Sequence, residues 1–168
     1  MIKKSIQTKN IVYAIYPNST GFGFVYLENP RKLLDFGAIR ISPLSNRRVL
    51  NKIKRSFEYF RPSIVIIQDP DGKYARTGFR IRKLIEKIVQ FAESEGLKVV
   101  QYSRDQIREV FEQFGAMTKY DIAKVMLSEF TELKTREPKK RKTWESEDRN
   151  MAIFDALSLA LLWFYLEK

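Results

Sequence analysis

The 168 residues include neither cysteine nor histidine. A disulfide framework, a zinc site of the usual kind, a thiol nucleophile and a Ser-His-Asp triad are thereby excluded. Any metal must be held through oxygen, and Asp and Glu select hard ions such as Mg²⁺ or Mn²⁺, which on a basic protein serve phosphate chemistry. Long apolar runs are missing as well. The longest, Ala156 to Leu166, is broken by Ser158 and falls short of the about 20 residues that a bilayer span needs. The opening MIKKSIQTKN has no apolar core and no cleavage site of a secretory signal. The expectation is a cytoplasmic protein with no membrane partner. Negative charge is the scarcer sign: 20 acids face 31 Lys and Arg, for a net charge of +11. That balance suits a polyanion, whose phosphates release counterions when neutralised, and nucleic acid is the expected partner.

The residues that are present read as one α/β domain over 1–168, with no internal repeat. Ile11 to Tyr16 is a β-branched and aromatic run closed by the turn signal Pro17-Asn18-Ser19, which predicts a buried strand. Gly21 to Leu27 and Leu33 to Ile41 follow as strands two and three. From Ser45 to Phe60 the apolar positions Val49, Leu50, Ile53, Phe57 and Phe60 recur at helical spacing against a basic face, until Pro62. Ile64 to Ile67 is a run of four β-formers, as in a parallel strand covered on both sides. A helix over about 77–95 stops at Gly96, and a short strand follows over 97–101. Ser103 and Thr118 are N-cap residues for two further helices, 104–114 and 118 to about 133. The last helix, from Glu145 or Asp148 to Glu167, is apolar nearly all round and packs deeply. Between them the stretch around 134–147 breaks the pattern. Five cations occupy the seven positions 136–142, which predicts a mobile basic loop that contacts polyphosphate or serves as a solvated linker. Arg47, Arg48, Arg76, Arg80 and Arg82 fall on helix starts or loops, where most are expected to solvate the surface.

Three strands in succession, then alternating helices and strands, is the order of the ribonuclease H-like fold: a mixed five-stranded sheet in the order 3-2-1-4-5, strand two antiparallel, flanked by helices. Within it, Ile15-Tyr16-Pro17-Asn18-Ser19-Thr20-Gly21-Phe22-Gly23 resembles the opening of RuvC-type Holliday-junction resolvases, with their Asp-Pro-Gly-Ser turn and Gly-aromatic-Gly strand. Arg61 to Gln68 resembles the segment that reaches that family's second acid. Gly115 to Lys119 is similar to its Gly-small-x-x-Lys stretch, and Asp155-Ala156-Leu157-Ser158 to its terminal Asp-Ala-Leu-Ala helix. The resemblance runs over nearly the whole chain, and implies branched DNA as ligand, a homodimer, and two-metal hydrolysis on four carboxylates.

This chain departs from that pattern where the chemistry sits. Matched residue by residue, the first acid is Tyr16, the second Gln68, the third Ala152, and Asp155 alone remains. One carboxylate does not hold two Mg²⁺ ions. A rebuilt site would have to draw on Asp69, Asp71 and Asp148 beside Asp155. Asp69 faces away from Gln68 unless the strand ends there. Asp148 shares a helical face with Asp155, but about 10 Å along the axis. Asp155 reads equally as a metal ligand or as a buried acid paired with Lys or Arg. Tyr16 reads as a strand-end aromatic, or as a ring that stacks on a base or fills the metal cavity. Lys119, at the family's lysine position, is a solvated lysine or a phosphate contact, and Arg136, Lys139, Lys140, Arg141, Lys142 and Arg76 are further candidates for nucleic-acid binding. The expectation is therefore a nucleic-acid-binding RuvC-like protein, of branched DNA first, whose nuclease is lost or weakened and which has no cofactor. The alternatives are an active resolvase or structure-selective endonuclease with a rearranged Mg²⁺ or Mn²⁺ site, and an RNA-associated or scaffold protein.

Overall fold

The computed structural model describes residues 10–71 and 77–167. Arg76 lies outside them. Five strands, β1 (Val12–Pro17), β2 (Gly21–Asn29), β3 (Lys32–Arg40), β4 (Ile64–Gln68) and β5 (Lys98–Tyr102), form one sheet in the order β3-β2-β1-β4-β5. β2 runs antiparallel to both of its neighbours, while β1, β4 and β5 are parallel. This is the order and polarity expected of the ribonuclease H-like fold, and it brings the C-terminal ends of β1, β4 and β5 side by side.

Alternation along each strand splits the sheet into two faces. Tyr13, Ile15, Phe22, Tyr26, Val65 and Ile67 point to one side, under α1 (Asn46–Phe60) and α2 (Phe79–Ser94). Val12, Ala14, Val25, Leu27, Ile64 and Ile66 point to the other, under α3 (Arg104–Glu112), α4 (Lys119–Glu129) and α5 (Met151–Leu166). β4 is buried throughout, because both faces are covered. α5 is buried on nearly every residue from Met151 to Leu162, as its unbroken apolar composition requires.

Local chemistry sets the helix ends. The Ser45 side chain accepts from the Arg48 amide at the start of α1, and the helix stops at Arg61 in the left-handed conformation, one residue before Pro62. Ser103 with Gln106, and Thr118 with Asp121, form complete capping boxes on α3 and α4. Two boundaries differ from the sequence expectation. α4 ends at Glu129, and a 3-10 helix, Thr131–Arg136, takes over the stretch to the basic segment. α5 begins at Met151 rather than at Glu145 or Asp148. The Asp148 carboxylate accepts from the amides of Asn150 (2.9 Å) and Lys139 (3.1 Å), which holds 148–150 as a turn. Among the described residues no helix is long and apolar enough to cross a membrane.

Candidate nucleic-acid interface

Tyr16, the last residue but one of β1, lies opposite Gly23 of β2. A Cβ built on Gly23 would stand 2.1 Å from the Ala152 carbonyl oxygen and 2.6 Å from the Ala152 Cβ. The missing side chain lets the first turn of α5 rest directly on the sheet, and Asp155, one turn further on, is thereby buried beside Tyr16. Gln68, at the end of β4, is buried on the same face, its Nε2 donating to Thr77 Oγ1 at 3.3 Å. These are the four positions at which the resemblance placed acids, and the fold brings them together.

The cation among them is Lys119, the first residue of α4. Its Nζ donates to Asp155 Oδ2 at 3.1 Å and lies 3.3 Å from both oxygens of Glu147. The same ammonium stands over the Tyr16 ring, 5.2 Å from its centroid. Asp155 is thus the buried acid paired with a lysine, and Lys119 is half-buried rather than solvated. Burial opposes the charge on Lys119, but Asp155, Tyr16 and Glu147 outweigh it and hold its pKa above the ordinary lysine value. Burial likewise raises Asp155, with Lys119 pulling back against it. The Tyr16 hydroxyl is pushed up to about 12, first by burial and then by the Asp155 charge, against the pull of Lys119 and Arg104. At neutral pH it is a neutral donor.

Around this centre opens a cavity of about 410 Å³, lined by Tyr16, Pro17, Asn18, Ser19, Gln68, Thr77, Ile81, Arg104, Lys119 and Glu147. Its floor is set by the turn after β1. Asn18 Oδ1 accepts from the amides of Thr20 and Gly21, both at 2.9 Å. Arg80 braces that turn, donating to the Asn18 carbonyl and to Asn46 Oδ1, each at 3.0 Å. Arg80 is therefore a structural strut, and Arg82 likewise, bonded to Asp71 and to the Pro70 and Thr77 carbonyls.

The other acids are placed elsewhere. Asp69 and Asp71 line a separate pocket with Arg82 and Gln101; Asp69 caps its own turn through the Asp71 amide, and Asp71 pairs with Arg82 at 2.8 Å. Asp148 is committed to the turn before α5. None of the three is in the lining of the Lys119 cavity. A divalent metal pair needs several free carboxylate oxygens close together. Tyr16, Gln68 and Ala152 supply none, Asp155 and Glu147 are held by an ammonium, and among the described residues no three acids gather as a ligand set. The donor set does not fit Mg²⁺ or Mn²⁺.

The basic segment reaches the rim. Glu147 ties its end to Lys119, and the Lys139 amide is bonded to Asp148. Lys140 lies 5.9 Å from the Tyr120 ring centroid. Lys139, Lys140, Arg141 and Lys142 are exposed, and none of them is in an ion pair among the described residues. Arg136 reaches Asn150 Oδ1 at 3.4 Å.

The sequence reading missed Glu147 and Arg104. Glu147 carries no local signal, because its partner Lys119 is 28 positions away. Arg104 was within reach: it stands two residues after the end of β5, and the C-terminal ends of parallel strands are where α/β sheets bind ligands.

No family model and no curated protein sequence matches the chain. Solved structures do. RuvC of Thermus thermophilus is similar with TM-score 0.65 at 19% identity, over 94% of this chain and 95% of that one. T. thermophilus RuvC in complex with a Holliday junction substrate is similar with TM-score 0.63 at 20% identity, over the same 94% and 95%. The yeast mitochondrial Holliday junction resolvase Ydc2 follows with TM-score 0.63 at 11% identity, over 93% and 78%. At these identities the likeness is one of architecture, and over nearly its whole length the chain carries the ribonuclease H-like fold of RuvC.

Proposed function

We propose that this chain binds branched DNA on the face where β1, β4 and β5 end, and that it holds the strands there without cutting them. The observation that carries this reading is the position of Lys119. Its ammonium is within hydrogen-bond reach of Asp155 and Glu147 and above the ring that stands where the first acid would be. A protein cation thus sits among the carboxylates that a hydrolytic metal would need. The cavity instead offers Lys119, Arg104 and the Tyr16 hydroxyl, which are donors suited to phosphate oxygens. The excess of Lys and Arg and the exposed Lys139, Lys140, Arg141 and Lys142 supply the longer-range attraction. The fold similarity to RuvC bound to a Holliday junction supports DNA branches as the ligand, and a homodimer belongs to the same reading.

A labelled four-way junction, titrated with protein in the presence of Mg²⁺ or Mn²⁺, tests it. The expected result is a retarded but intact junction, and the same for Asp155→Asn. Nicked product that disappears with Asp155→Asn would overturn the loss of cleavage, and no retarded species would overturn the binding.

A further inference from the structure

Tryptophan is costly to leave in water, and its flat ring is a sequence-tolerant surface for stacking on bases. The chain has two tryptophans. Trp163 is packed against the core, whereas Trp144 is 79% exposed. Trp144 stands in the irregular segment between the 3-10 helix and α5, two residues after the run Lys139 to Lys142. The Lys142 ammonium lies 5.5 Å from its ring centroid. Three residues later Glu147 is anchored on Lys119 at the cavity, so the ring is within about 11 Å of chain from the site's rim.

We propose that Trp144 is a stacking platform for an unpaired base of the DNA bound at this rim. This rests on the branched-DNA reading and adds what part of the DNA is recognised. Phosphates of the flanking nucleotides meet Lys139, Arg141 and Lys142, and the indole takes a base that pairing has left free. A fully paired duplex keeps its bases stacked on one another and offers the ring nothing. The segment therefore discriminates open from closed DNA, which cations alone cannot do. A cation over an indole face is worth little at an exposed site, so Lys142 yields its place or remains on the face away from the base.

The experiment compares a fully paired duplex with the same duplex interrupted by a short run of unpaired thymidines, by fluorescence anisotropy at fixed salt. Trp144→Ala should weaken binding to the interrupted duplex by about 5- to 150-fold and leave the paired duplex unchanged. Trp144→Phe, which keeps a ring, should retain most of the affinity. Tryptophan emission of the unaltered protein should be quenched by the interrupted duplex and not by the paired one. Equal weakening on both DNAs, or none on either, overturns the platform while leaving branched-DNA binding in place. Failure of the unaltered protein to bind any DNA overturns the functional reading itself, and the platform with it.

Discussion

The Ala152 carbonyl of α5 lies against Gly23 of β2, 2.1 Å from where a side chain on that residue would begin. The blocking atom is backbone, so no rotamer change relieves it. Gly23→Ala must lift the first turn of α5 off the sheet. The expected cost is about 3 kcal/mol or more, a fall in Tm on the order of 6–12 °C for a chain of this size. Thermal unfolding followed by circular dichroism measures it, and because Asp155 on that helix holds the Lys119 ammonium in the cavity, displacing the helix moves Lys119 and junction affinity should fall as well.

Lys119→Met leaves the Asp155 carboxylate buried without its cation. Lys119 retains partial solvent access, so the loss at neutral pH should be about 2–4 kcal/mol, below that of a fully buried pair. The pH dependence follows from the direction of each shift. Asp155 is raised, so the folded state takes up its proton more readily than the unfolded chain does, and stability falls as pH climbs from the ordinary carboxylate range through the raised value. Without Lys119 the carboxyl is raised further, so that fall continues to higher pH, and the difference between variant and unaltered protein should shrink as the pH is lowered toward the ordinary carboxylate range. Lys119 is raised too, so its contribution is complete below the ordinary lysine value and lost as pH climbs beyond it. Urea unfolding across the pH range checks both slopes.

Lys139, Lys140, Arg141 and Lys142 replaced together by Ala should weaken binding to all DNA sequences alike. Each lost phosphate contact on duplex removes about 0.9 from the log–log salt slope, up to about 3.6 for the four. Anisotropy titrations at several salt concentrations give the slope. An unchanged slope would remove this segment from the interface.

On the opposite face the Tyr26 hydroxyl donates to Ser56 Oγ at 2.9 Å, with the Tyr13 hydroxyl 3.1 Å away. Tyr13 and Tyr26 are fully buried and stacked, centroids 4.0 Å apart. Burial holds both phenols above their ordinary pKa. Ser56→Ala takes away the serine that both buried hydroxyls reach, at an expected cost of about 1–3 kcal/mol. Tyr26→Phe on that background should recover part of it, since it removes the stranded donor. Denaturant midpoints of the single and double variants decide between recovery and further loss.

The strands and most helices were legible because their signals are local. Ile64-Val65-Ile66-Ile67 needs no distant information to read as a doubly covered strand, and Ser45, Ser103 and Thr118 accept from amides three residues ahead. The start of α5 depends on a contact outside the helix. Asp148 stops α5 short of Glu145 because it reaches back to the Lys139 amide. The positions Tyr16, Gln68, Ala152 and Asp155 were legible as a set through the order of the motifs, and the absence of an acid at the first three was plain from residue type alone.

What replaces those acids was decided only in three dimensions. Residue types alone establish that Tyr16, Gln68 and Ala152 bring no carboxylate and that the surface is cationic, since charge and ligand chemistry belong to each side chain wherever it lies. The choice of Lys119 as the partner of Asp155, 36 positions away, and of Glu147 as its second acid, comes from α4 and α5 packing on one face of the sheet over Gly23. A buried carboxylate requires a counter-charge, and which one it finds is settled by the packing of helices that sequence distance keeps apart.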